Sequence, residues 1–284
     1  MTEKVYDTMV ISGGALKGFA ILGCLQCLVD QNKIPHIKKY ISTSIGAIIS
    51  YLLCIGYTPI EIMVDLCKND WMKKMSNFDV LNVLNGGGAI SFSIINEVLE
   101  KMTIDKIGRL ITLGEVYNTF GKTLICCTFN LSKQDQEFLN PFDNPELPCL
   151  VALRMTSNLP FLFEPFFYNS CYYIDGGIVN NFPIFYVNLE TDHVIGIKFK
   201  KTEKVDYSAK PFMPYLYDLI TIPSVFIECH FNKNHQECDI IKLDATNLSS
   251  LNFQMTMNER LEMFSIGYET AKNYISEKSL VSSK

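Results

Sequence analysis

The chain has 284 residues, 48% of them hydrophobic and 12% aromatic, enough to bury the core of one large domain or two small ones. A formal net charge of −5, with lysines and arginines scattered, leaves no basic stripe of the kind that nucleic acid requires. Charged residues make up only 19%, which leaves room for apolar surface against a lipid or a partner.

Thr8-Met9-Val10-Ile11 is a compact apolar run and predicts a buried strand of a parallel sheet. It ends in Ser12-Gly13-Gly14-Ala15-Leu16-Lys17-Gly18, followed by a helical pattern over residues 19–31. Strand, glycine-rich turn and helix form the anion-binding arrangement of α/β proteins. Neither the dinucleotide fingerprint nor P-loop spacing is present, so no nucleotide is expected.

A polar connection then delivers the chain to Tyr40-Ile41-Ser42-Thr43-Ser44-Ile45-Gly46-Ala47, which predicts a strand end, a tight turn and the start of a buried helix. A serine in such a turn has its Oγ pushed out of the sheet. Gly46 lets the new helix lie close to the strand it has just left. The first N–H groups of that helix, from Ile45 on, point at whatever lies over Ser44 and favour negative charge there. Ser44 has a second reading as the N-cap of the helix, and the short motif leaves both open.

Residues 59–68 predict a helix with Thr58 as its cap and Pro59 at its first position. Residues 69–92, with Gly86-Gly87-Gly88, predict a mobile loop that could cover the site. A helix is expected over residues 93–101, a loop with a short helix over 107–120, and a buried strand over 123–129. Residues 132–148 are polar and proline-rich, a surface excursion. A helix over 150–157 ends at Asn158-Leu159-Pro160. Tyr172-Tyr173-Ile174 is a strand that stops at Asp175-Gly176-Gly177, and Asn180-Asn181-Phe182-Pro183 follows as a capped turn.

A further strand is expected over 193–199 and helices over 211–230 and 251–276. In the last, Leu261, Phe264, Tyr268, Ala271 and Ile275 make an apolar stripe for docking on the core. With no repeat or linker, one domain over residues 1–284 is expected, its motif core at about 7–200 and the C-terminal helices of 211–276 packed on it.

Ten cysteines lie mostly in apolar runs and predict small buried hydrophobes in a reducing compartment. Cys24 and Cys27 fall inside a helical pattern with no second pair at zinc spacing, so neither metal nor cofactor is expected. The opening residues are polar, and the longest apolar stretch, residues 45–55, is short of the ~20 residues of a spanning helix. A cytoplasmic protein, with peripheral membrane contact, is the expectation; the oligomeric state is not readable.

A serine hydroxyl needs an adjacent base. Of the four histidines, His36 precedes a strand, His193 opens one at its amino-terminal edge, and His230 and His235 sit in a polar stretch, where they stay open as partners in a triad. Asp175 stands at the carboxyl end of an apolar strand, and its two glycines let the backbone come close to another element. A carboxylate there can take the Ser44 proton directly once burial raises its pKa.

The set G-G-A-L-K-G, S-T-S-I-G-A, A-L-R-M-T-S-N-L-P and D-G-G followed by N-N-F-P, in that order over about residues 7–200, resembles the patatin-like phospholipase family. The resemblance implies a three-layer α/β/α sandwich on a mostly parallel sheet, a Ser44–Asp175 dyad, and an oxyanion hole from the Gly13-Gly14 turn, to which the Ile45 N–H adds. It implies hydrolysis of acyl esters in phospholipids or other acyl lipids through an acyl-serine, with Lys17 as a candidate for positioning a lipid phosphate. Two departures stand out. Ser42 and Ser12 occupy positions where the family usually has glycine, which keeps open a non-catalytic lipid-binding or scaffolding protein, and an acyltransferase or thioesterase would use the same dyad.

Overall fold

The apolar runs form the middle of an eight-stranded mixed sheet. The computed structural model describes residues 5–68, 71–200, 212–231, 238–245 and 251–282. The first half contains β1 (Thr8–Ile11), α1 (Gly18–Asp30), β2 (Lys39–Thr43), α2 (Ile45–Cys54), α3 (Pro59–Lys68), α4 (Trp71–Met75), α5 (Val80–Leu84), α6 (Ser93–Ile107), α7 (Leu113–Phe120), β3 (Thr123–Asn130) and β4 (Asp135–Leu139). The second contains α8 (Cys149–Thr156), β5 (Phe166–Tyr168), β6 (Cys171–Asp175), β7 (Val194–Phe199), α9 (Phe212–Phe231), β8 (Asp239–Leu243) and α10 (Met257–Ser282).

Strands β3-β2-β1-β7-β8 run parallel in that order. Burial on both faces explains why β1 reads as a continuous apolar run rather than an alternating one. Met9, Ile11 and Tyr40 face the larger core beneath α1 and α2. Val10, Ile41 and Ile125 face a thinner layer built from Phe182, Ile184 and Val187, around a short helical turn at Ile184–Tyr186. Helical segments therefore cover both sides of the sheet, unequally.

The C-terminal helix α10 lies along α1 at backbone contact. A Cβ at Gly23 would stand 1.8 Å from the Phe264 carbonyl oxygen, and one at Gly267 would stand 1.9 Å from that of Ala20. Glycines at the crossing are what allow the approach. The stripe predicted for this helix is docked except at its first member: Leu261 is 51% exposed, while Met263, one step round, is buried.

Two stretches differ from their sequence reading. The excursion over 132–148 contains β4, an edge strand antiparallel to β3. Its Asp135, Gln136 and Glu137 are polar because one side of an edge faces water. In the stretch over 69–92, residues 69 and 70 lie outside the described residues, and the rest holds α4 and α5. Five-residue helices are too short to show a period; α5 is set by Asp79, whose carboxylate accepts the Asn82 N–H at 2.9 Å.

The site follows from how β3 shares its edges. β4 spans Cys126 to Asn130 on one edge. β2 pairs with Thr123 to Cys127, and β6 with Thr128 to Asn130. Both overlap β4 in register, so both lie on the opposite edge, end to end. Thr43 is opposite Cys127 and Asp175 is opposite Thr128. The residue after Thr43 therefore meets the last residue of β6 head-on. Asp175 is the last residue of β6, at a strand's carboxyl end as the sequence predicts, and because β6 is antiparallel to β3 it arrives from beyond the carboxyl edge of the parallel strands.

Candidate active site

Ser44 is the single residue between β2 and α2, with φ 53° and ψ −127°. Non-glycine residues reach this region only at a cost of roughly 1–3 kcal/mol, so surrounding contacts must hold it. Its N–H donates to Thr156 Oγ1 at 3.1 Å, and the Thr156 hydroxyl in turn donates to the Cys127 carbonyl. Two positions after Ser44, Gly46 is required. A Cβ there would stand 2.6 Å from the Ser12 carbonyl oxygen and 2.7 Å from that of Ile11, and backbone cannot yield.

Ser44 is the N-cap of α2 by position, yet its side chain makes no capping bond. Its Oγ donates instead to Asp175 Oδ2 at 2.7 Å. The other carboxylate oxygen, Oδ1, accepts the Gly177 N–H at 2.7 Å. The Asp175 backbone is tied as well: its N–H donates to the Asn158 carbonyl at 2.9 Å, and Asn158 Nδ2 donates to the Tyr173 carbonyl at 2.8 Å. Asp175 is only 5% exposed. Burial pushes its carboxyl up to about 6, against the pull of the hydrogen bonds from Ser44 and Gly177.

The glycine turn is only partly available to a ligand. The Gly13 N–H already donates to the Asn181 carbonyl at 3.0 Å, and Asn181 Nδ2 donates back to the Gly13 carbonyl at 3.3 Å. Gly13 therefore cannot offer the oxyanion donor expected of it, because its proton holds the turn against residues 180–183. The N–H groups of Gly14 and Ile45 have no hydrogen-bond partner among the described residues. Lys17 lies with its Nζ 5.7 Å from the Phe199 ring centroid and is not part of the cavity wall.

The two serines at usual glycine positions differ. Ser42 Oγ lies 2.7 Å from Ser50 Oγ of α2, so the extra hydroxyl ties strand to helix. Ser12 Oγ is buried with no partner among the described residues.

Ser44 and Asp175 open on a cavity of about 1130 Å³, its mouth included. Ile45, Ile48, Ile49 and Leu52 of α2 make one wall at helical spacing. Phe19 and Leu22 of α1, Leu99 of α6 and Leu162 also line the cavity. Neither His36 nor His193 lines it; His193 pairs with Asp7 at the far edge, 3.2 Å away. His230 lies in the last turn of α9, and His235 lies outside the described residues. A strained serine hydroxyl, a buried carboxylate that accepts its proton, and two open N–H donors beside an apolar cavity can support acyl transfer.

Thr156, Asn158 and Asn181 hold this geometry, and the sequence pattern assigned them no part. Thr156 ends α8 without any local signal of its own; its partner Ser44 is 112 positions away.

The family model for patatin-like phospholipases matches residues 9–187. A probable lipid hydrolase from Invertebrate iridescent virus 6 is 40% identical over 188 residues, 65% of this chain. The match spans 64% of that viral protein, so just under two thirds of its length is covered. The fold is similar to VipD of Legionella pneumophila, at 16% identity and a TM-score of 0.59, covering 96% of this chain and 67% of that one. The effector protein ExoU of Pseudomonas aeruginosa is similar at 12% identity and a TM-score of 0.56, covering 97% and 53%. With a match that takes in all four motifs, this chain belongs to the patatin-like phospholipase family.

Proposed function

We propose that the protein is a lipid acyl hydrolase that cleaves the acyl esters of phospholipids or related lipids with a Ser44–Asp175 dyad. The observation that carries this is the 2.7 Å hydrogen bond from Ser44 Oγ to Asp175 Oδ2 at the mouth of an apolar cavity. Ser44 Oγ attacks the ester carbonyl as Asp175 takes its proton. The tetrahedral oxyanion is held by the N–H groups of Gly14 and Ile45, each such donor being worth roughly 3 kcal/mol in the barrier. On collapse Asp175 returns the proton to the leaving alcohol, and water then releases the acyl group from Ser44 by the same sequence. The apolar wall takes the acyl chain. Lys17, outside that wall, takes no part in this scheme. Family membership and the viral relative named as a lipid hydrolase support the substrate class. The hydrogen bond that Ser42 finds in Ser50 supports an intact turn rather than a degraded one.

A fluorophosphonate probe, which reacts only with an activated serine, tests the dyad. It is expected to label the wild-type protein and neither Ser44→Ala nor Asp175→Asn. Hydrolysis of phosphatidylcholine in mixed micelles should fall about 10³-fold or more in both variants, with circular dichroism unchanged. Full activity in Asp175→Asn removes the dyad. Absent labelling of a folded wild-type protein favours a lipid-binding role without catalysis.

A further inference from the structure

Helix α9 has two distinct faces. Tyr217 and Thr221 line the cavity, and Ser224 Oγ accepts the Asn181 N–H at 3.0 Å, so one face belongs to the site. The opposite face presents Phe212, Leu219 and Ile222, which are 63%, 41% and 55% exposed, with Val225, 42% exposed, at its flank. Tyr215 and Phe226 add to the same exposed face. Positions 212, 215, 219, 222 and 226 recur at alternating steps of three and four, one continuous stripe about 21 Å long at 1.5 Å per residue. None of these five positions carries a charged side chain. Buried helices of globular proteins turn such stripes inward, so a contiguous exposed one marks an interaction surface.

We propose that this stripe lies in a phospholipid bilayer surface and sets the cavity mouth against it. The assignment to lipid rests on the hydrolase reading above and on continuity: one helix wall separates the stripe from the cavity that takes the acyl chain. Outward apolar residues recur beside another wall of that cavity. Leu81 and Leu84 of α5 are strongly exposed, a few residues beyond Trp71 and Met75 of α4, which line it. No described helix is long and apolar enough to cross a membrane, so α9 lies in the interface plane instead of spanning it. The overall charge of −5 gives no attraction to anionic lipid, so binding runs on apolar burial and is indifferent to salt.

The test is flotation with vesicles of pure phosphatidylcholine at low and high salt, using wild type, Ser44→Ala and the double variant Leu219→Glu/Ile222→Glu. Wild type and Ser44→Ala should float equally at both salt levels. The double variant should partition about tenfold less or weaker still, yet hydrolyse a dissolved short-chain ester within about twofold of wild type. Ile222→Trp supplies a reading that needs no loss of function. Its new indole should shift to the blue and be quenched by brominated lipid when vesicles are added. Undiminished flotation of the double variant, or an Ile222→Trp spectrum that vesicles leave unchanged, overturns the proposal. So does a wild-type dimer that the double variant converts to a monomer without change in flotation. Stripe-dependent flotation of a protein without esterase activity would keep the docking surface and remove the hydrolase; activity on dissolved ester without flotation would do the reverse.

Discussion

The two segments that meet at the site, residues 12–14 after β1 and residues 42–46 from the end of β2 into α2, belong to neighbouring parallel strands and carry the same departure, a serine where the family usually has glycine. They solve it in opposite ways. In the second turn the groups that hold the nucleophile are committed, Ser42 to Ser50, the Ser44 N–H to Thr156 and the Ser44 hydroxyl to Asp175, and the Ile45 N–H alone stays open. In the first, Gly13 is committed to Asn181, while the Gly14 N–H and the Ser12 hydroxyl have no partner among the described residues. A nucleophile has to be held in one strained geometry before substrate arrives, which takes several simultaneous restraints. An oxyanion donor has to stay unsatisfied until charge develops. The groups that fix the nucleophile are rigid by saturation, and the Gly14 and Ile45 N–H groups, one from each turn, are useful by vacancy.

The largest effect that separates the turns is one of pH. With its carboxyl raised to about 6, Asp175 is protonated below that value and cannot accept from Ser44. The ratio kcat/KM should fall about tenfold per pH unit below 6 and be level above it, in a rate profile on a soluble ester. Stability runs the other way. The folded protein holds this proton more tightly than the unfolded chain, whose aspartate titrates near 3.8. The stabilisation is therefore complete below about pH 4 and is lost as pH rises through about 6, on the order of 3 kcal/mol in all. Asp175→Asn should flatten that part of the stability profile in urea titrations at pH 4 and pH 7. A wild-type rate profile level down to pH 4 would break the assignment of the second turn.

Next in size is Thr156. Thr156→Val keeps the volume but removes the acceptor of the Ser44 N–H and the donor to the Cys127 carbonyl. With the strained φ less restrained, kcat should drop roughly 10- to 100-fold. KM and the pH midpoint should stay in place, and Thr156→Ser should restore most of the rate. Equal loss in Thr156→Ser would point to packing rather than to the hydroxyl.

How much of this was legible depended on the range of the interaction. The positions of Ser44 and Asp175 were visible because each is written locally, as an apolar strand broken by S-x-G or by D-G-G. The close packing at Gly46 was visible for the same reason. The occupancy of the Gly13 N–H was not, because its acceptor Asn181 lies 168 positions downstream and a backbone carbonyl leaves no mark on composition. The antiparallel sense of β6 was equally hidden: β6 pairs with β3 on the edge that β4 leaves open, and β4 is a polar edge strand inside what reads as a loop. Thr156 shows the limit most clearly. Its hydroxyl matters through two backbone groups, on β3 and in the β2–α2 turn, that no pattern within α8 could indicate.

The smallest effect is the one that addresses the two serines directly. Ser42→Ala strands the Ser50 hydroxyl in a fully buried place and should cost about 1–2 kcal/mol in urea unfolding. Ser12→Ala removes a buried hydroxyl that has no partner to lose, so it should be neutral or stabilising by up to about 1 kcal/mol. The double variant Ser42→Ala/Ser50→Ala should recover part of the loss, since neither hydroxyl is then left unpaired. Near-equal costs for Ser42→Ala and Ser12→Ala would mean that both hydroxyls are equally satisfied in solution. The contrast between saturated and vacant groups would then rest on the Gly14 and Ile45 N–H groups alone.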